Sequence, residues 1–86
     1  MNWPDVEINA IENRDDLALY LTGLAAKIRD GRLSVANPST DTFVDSAGRW
    51  TMSMDSFFKN VMKEPAPETP DWAMIAAIFR AALVYE

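Results

Sequence analysis

A chain of 86 residues with a net charge of −5 and neither cysteine nor histidine is one domain near the lower size limit for independent folding. It lacks the side chains that build disulfides, most zinc sites and most general bases working near neutral pH. Hydrophobic residues make up 49% of it, enough for a packed core and too many for a disordered chain.

The acids crowd toward the start: Asp5, Glu7, Glu12, Asp15 and Asp16 face only Arg14 in the first sixteen residues. Such a surface repels phosphate backbones and suits a basic partner, although the same charges also read as an ordinary solvated face. No basic stretch followed by an apolar run opens the chain, so a secretory signal is not expected. Val6, Ile8 and Ala10 alternate with polar residues, but no second strand-like run exists to pair with them. The reading is an extended arm lying on helices.

Asn13 then offers a helix cap, with Asp15 and Asp16 placed in the first turn where carboxylates meet the positive end of the dipole. Leu17, Leu21, Leu24 and Ile28 form its apolar stripe, Lys27 and Arg29 fill the last turn, and Gly31 ends it. Leu19 points away from the stripe. Gly23 lies in the interior, where it costs about 1 kcal/mol relative to alanine and suggests a close approach of another helix.

The stretch GRLSVANPSTD is a loop, and Ser39, Thr40 or Asp41 can cap a second helix carrying Phe43, Ala47, Trp50 and Met54 at intervals of four, three and four. Phe57, Phe58 and Val61 extend the same face if the helix continues, whereas Ser53 to Ser56 could also cap a new turn. Pro65 and Pro67 end regular structure and make a stiff linker. Thr69 followed by Pro70 predicts the start of the last helix. Its residues Trp72, Ile75, Phe79 and Leu83 form one apolar stripe and Met74, Ile78, Ala81 and Tyr85 a second, with only the side near Arg80 polar. The apolar run is about fourteen residues long, short of the ~20 that cross a bilayer. A helix apolar on two faces belongs in the middle, so the expected architecture is an all-α domain of three or four helices spanning residues 1–86, the C-terminal helix central and the N-terminal arm extended. On that packing, truncating Trp72 or Phe79 to alanine should unfold it.

The segment from Asn37 to Glu86 resembles an uncharacterised family of short acidic bacterial proteins, a domain of unknown function. Its members carry an N-P-x-L-E-x-F-L helix start, a Trp near that helix's end, then D-G-Y-Y-x-N, P-x-P-x-x-P-x-W and a closing A-A-x-x-Y-E. The corresponding stretches here are NPSTDTFVD, Trp50, DSFFKN, PAPETPDW and AALVYE. The Asn13 to Leu21 segment is also similar to the family's first helix. Val35 replaces the family's usual Trp, Thr40 its Leu, and Ser56, Phe57 and Phe58 its Gly-Tyr-Tyr. The loss of two phenolic hydroxyls implies rings used for packing. The resemblance brings no activity with it, only a likeness in style to immunity proteins that neutralise toxins.

The functional expectation is therefore a cytoplasmic, non-catalytic protein-interaction module that needs no cofactor or metal and binds a protein partner, in its sharpest form a basic toxin. Neither nucleic acid nor membrane is expected as partner, and the chain is a monomer or a homodimer. Candidate contacts are Asp15, Asp16, Asp41, Asp45, Tyr85 and Glu86, each of which also has a plain structural use: first-turn charges, a cap, a solvated acid, a core ring. The alternative is a self-associating structural or regulatory domain that meets its copy through the second stripe of the last helix or through Phe57 and Phe58. More remote is an enzyme pairing Asp55 with Glu64 or Glu68 near Asn60. Nothing in the sequence fixes their separation.

Overall fold

The computed structural model describes residues 2–85; of the candidate contacts, Glu86 lies outside the described residues. Four α-helices follow in order: α1 Val6–Asn9, α2 Arg14–Arg29, α3 Thr40–Phe57 and α4 Trp72–Ala82. Between the last two, α3 runs directly into a π-helical turn, Phe58–Met62. No strand occurs among the described residues, and none of their helices is long and apolar enough to cross a membrane.

The arm is not extended but wound into the single turn of α1. Pro4 leads into Asp5, whose carboxylate accepts the amides of Glu7 at 2.9 Å and Ile8 at 3.1 Å; this side-chain cap outcompetes the period-two pattern. Only Ile8 of the alternating set is buried, while Val6 is left in solvent. The Trp3 amide donates to Asn9 Oδ1 at 2.9 Å, which ties the arm back onto its own helix.

Helix α2 starts and stops where the local signals put it. The Asn13 side chain accepts the Asp16 amide at 2.9 Å, and Gly31 takes a φ of 74° while the amide of Arg32 reaches back to the Lys27 carbonyl at 2.9 Å. Gly23, however, is exposed, with no atom near where a Cβ would stand, so it mediates no close helix approach.

Ser53 to Ser56 start no new helix. The winding loosens at Phe58 instead and ends at Lys63, a non-glycine residue with φ 59° whose amide, like that of Glu64, donates to the Phe58 carbonyl. This change of pitch buries Phe58 completely.

Helix α4 is central and packs on α1, α2 and α3. Its cap is Asp71, which accepts the Met74 amide at 2.8 Å, not Thr69: Pro70 biases the residue before it away from helix and leaves the charged side chain of Asp71 to close the first turn. Trp72, at its start, shares a surface hollow with Asn13, Arg14 and Asp15, and Leu83, just past its end, shares another with Ile28. Helices α2 and α4 therefore run side by side in the same direction.

The burial along α4 departs from the sequence expectation. Its wholly or largely buried residues are Ala73, Met74, Ala76, Ala77 and Ala82, followed by Leu83, while Trp72 and Phe79 are 40% and 38% exposed. Small side chains let neighbouring backbones approach, and α3 answers with Ser46, also fully buried. The two large rings are displaced to the rim, Phe79 resting on Phe43 with ring centroids 5.8 Å apart. Ala76 lies on the same side of α4 and is 0% exposed, so that side is open only at the two rings, and Arg80 is half-buried.

The loop before α3 seals the far end of α4. The amides of Ala36 and Asn37 donate to the Leu83 carbonyl at 2.8 and 3.1 Å, and the Asn37 side chain donates to the carbonyls of Ala82 at 3.0 Å and Tyr85 at 2.9 Å. Asn37 thus does for the C-terminus of α4 what a cap does locally, across 45 residues of chain. Asn37→Ala is expected to lower stability by about 1–3 kcal/mol, the cost of two half-buried carbonyls losing their donor. A urea titration of the variant against wild type measures it.

Candidate functional site

The aromatic residues of the arm and of α3 gather into one cluster. Trp3 stacks on Phe57 at 6.0 Å between centroids and meets Phe58 edge-on at 5.6 Å, and Phe57 tilts against Trp50 at 5.6 Å. Beside the cluster lies an open cleft of about 330 Å³, walled by Trp3, Ile8, Trp50 and Phe57 and by Ala77, Ala81 and Val84 of the closing segment. The alanines create this space, since a longer side chain at 77 or 81 would fill it. Asp5 and Arg80 are the charged residues in its lining.

Arg80 also borders a smaller polar hollow of about 160 Å³, shared with Asp5, Glu7, Tyr20 and Lys27. Charges here are largely matched: Lys27 pairs with Glu7 at 2.9 Å, and Asp5 is engaged by the amides of α1. Among the described residues the Arg80 guanidinium has no ion pair or hydrogen bond. Trp3 is likewise incomplete: its Nε1 is a buried donor without an acceptor. Both groups were passed over in the sequence, where Arg80 read only as the polar side of α4. The one available signal was a single cation set among alanines at 76, 77, 81 and 82.

Burial, reinforced by the nearby Asp5 carboxylate, pushes the Tyr20 phenol up to about 12. The folded chain thus holds this proton more tightly than the unfolded chain, whose phenol ionises near 10. Stability from Tyr20 is fully present below pH 10 and is lost as the pH rises toward 12. Denaturant midpoints taken across that window are expected to fall in the wild type and to fall less in Tyr20→Phe.

The proposed contact acids do not converge. Asp15 and Asp16 stand at the start of α2, and Asp16 is already engaged, its Oδ2 accepting the Glu12 amide at 3.1 Å. Asp41 and Asp45 belong to the start of α3, near the opposite end of α2, where Ser39, Thr40 and Phe43 share a hollow with Ile28. Asp15 and Ile28 are separated by about 20 Å of helix. Hydrogen bonds from the Ser39 hydroxyl and the Thr42 amide hold the Asp41 carboxyl below the usual carboxylate range. Asp45 pairs with Arg49 at 3.0 Å on the surface. Tyr85 is half-buried, its hydroxyl 3.3 Å from Ser53 Oγ and its ring 5.7 Å from the Arg49 guanidinium carbon.

Phe57 and Phe58 are not a surface pair, because Phe58 is sealed in the core and Phe57 is stacked under Trp3. The second stripe of α4 is no free face either: Met74 is buried, and Ile78, Ala81 and Tyr85 are half-buried against the core. Asp55, Glu64 and Glu68 are all exposed and none of them lines the aromatic cleft.

A different acidic feature emerges where α1 meets α2. Glu7, Ala10, Ile11, Asp16, Leu19 and Tyr20 line a shallow groove, and Leu19, which the sequence left as an incidental outlier, stands 73% exposed in it. Glu12 and Asp15, both exposed, flank the groove residues in the chain.

Residues 13–86 match the model of a family of unknown function (DUF7660). No curated protein and no solved structure matches the chain.

Proposed function

The chain belongs to that family, and we propose that it is a non-catalytic protein-interaction module of the cytoplasm whose acidic α1–α2 face docks on a basic partner. The observation that carries this reading is Leu19, a large apolar side chain held in solvent within a groove that also contains Glu7 and Asp16. An apolar anchor ringed by like charges is the pattern of an interface in which burial supplies affinity and the charges supply steering and selectivity. Its sharpest form is neutralisation of a cationic toxin, the carboxylates guiding encounter and Leu19 entering an apolar pocket of the target.

The test is calorimetric titration of the purified chain against any basic protein encoded beside it, assayed in parallel for toxicity. Leu19→Ser is expected to weaken binding by about tenfold or more. Asp15→Asn should weaken it at low salt, with the difference shrinking at ~1 M salt, where screening is nearly complete. A complex indifferent to Leu19→Ser would move the interface elsewhere, and a neighbour that neither binds nor is toxic would end the neutralisation reading.

Self-association is the second reading, and the feature that favours it is the exposed edge of Trp72 and Phe79 on α4. Sedimentation equilibrium that returns the mass of a single chain removes it.

A further inference from the structure

The cleft between the arm and α4 is independent of the acidic groove and has its own chemistry. Its walls are aromatic and aliphatic, and its volume of about 330 Å³ sits at the lower end of the ~300–1,000 Å³ usual for small-molecule sites. What distinguishes it from a packing defect is Arg80, a guanidinium in its lining that makes no ion pair or hydrogen bond among the described residues. Arg80 shares the polar hollow with Asp5 and Glu7 but makes no ion pair with either; Glu7 Oε1 is held by Lys27 at 2.9 Å, and both α1 amides that Asp5 accepts go to its Oδ1. Trp3 adds the buried indole N–H that nothing accepts. The buried Trp3 donor is a standing cost, while Arg80 is half-exposed and open to a charged oxygen acceptor attached to an apolar body.

We propose that this cleft binds a small apolar monocarboxylate, its hydrocarbon or aromatic body between Trp3, Trp50 and Phe57 and its carboxylate on the Arg80 guanidinium. A planar guanidinium engages both oxygens of a carboxylate, and it does so most strongly where apolar walls exclude water. Alanine at 77 and 81 is what leaves room for the ligand body. The Trp3 indole N–H reaches a ligand oxygen only if the ring turns on the arm, whose backbone is fixed through the 2.9 Å bond to Asn9.

The probes are 3-phenylpropanoate and octanoate, each compared with its own primary amide, titrated into the full chain while the three indole N–H resonances are followed by NMR. The acids are expected to saturate the signals of Trp3 and Trp50 and to leave that of Trp72, which lies beside Asn13 to Asp15, unmoved. Each acid should bind about tenfold or more tightly than its amide, the usual margin of a charge-assisted pair. Arg80→Gln should bring the acid down to the affinity of the amide, and Ala81→Leu should abolish binding of both.

The acid-to-amide comparison on wild type needs no variant to fold. Equal affinities, no saturation by ~10 mM, a level corresponding to less than about 3 kcal/mol of binding, or shifts centred on Trp72 overturn the proposal. So does a peptide ending in leucine that saturates the same resonances where the free acids do not.

Discussion

Phe58→Ala is expected to remove about 3–5 kcal/mol of stability, the usual cost of truncating a fully buried phenylalanine. At roughly 0.05–0.15 kcal/mol per residue, a chain of 86 residues has only about 4–13 kcal/mol in total, so the variant falls at or near the unfolding threshold. The magnitude follows from position: Phe58 is 0% exposed and meets both Trp3 and Phe57 edge-on, at 5.6 and 5.7 Å. Its loss opens a cavity beneath the arm and removes two aromatic contacts worth about 0.5–1.5 kcal/mol each beyond their area. Thermal unfolding followed by circular dichroism gives the result. A loss below about 1 kcal/mol, far under the range for a sealed site, would mean that the π-helical turn does not hold the ring inside.

Ala76→Leu is the second, and it inverts the intuition that large residues matter most. Leucine is nearly as good a helix former as alanine, so the substitution leaves α4 intrinsically helical and isolates packing. Position 76 is 0% exposed in the helix that contacts all the others. Three added carbons there are expected to cost about 1–3 kcal/mol or more by forcing α4 away from its neighbours. Trp72→Ala, at a site 40% exposed, should cost less than that despite removing a far larger side chain. The same urea series measures both, and the opposite order would show that Ala76 is not closely packed against its neighbours.

Both results bear on function, because α4 also carries Arg80 in the lining of the cleft and of the polar hollow. Overpacking at 76 should therefore disturb acid binding in the cleft along with stability. The groove on α1 and α2 is anchored separately, by the Asp5 cap and by the bonds that the Asp16 amide donates to the Asn13 side chain and the Glu12 amide donates to the Asp16 carboxylate.

Helix ends were legible residue by residue where the signal was local. Asn13, Gly31 and the prolines of the linker set boundaries because a cap or a forbidden backbone angle acts over three or four residues, whatever the rest of the chain does. Two local signals were outweighed by stronger neighbours: Asp71 took the cap assigned to Thr69, and Asp5 wound an alternating stretch into a helical turn. The candidate site was less legible. Leu19 and Arg80 each looked incidental on a helical projection, and their meaning depends on which elements stand next to them.

By itself, then, the sequence determined that this chain is all-α, where most helices begin and end, and that the last one lies at the centre, since a helix apolar nearly all round has nowhere else to go. The tertiary structure alone decided which of its side chains are sealed in. An apolar pattern without a polar face does not say which residues lie innermost, and the choice went with size: Ala73, Ala76, Ala77 and Ala82 are buried, while Trp72 and Phe79 stay 40% and 38% exposed. That packing, invisible to any count of hydrophobic residues, also sets beside an aromatic cleft a guanidinium without an ion pair or hydrogen bond among the described residues.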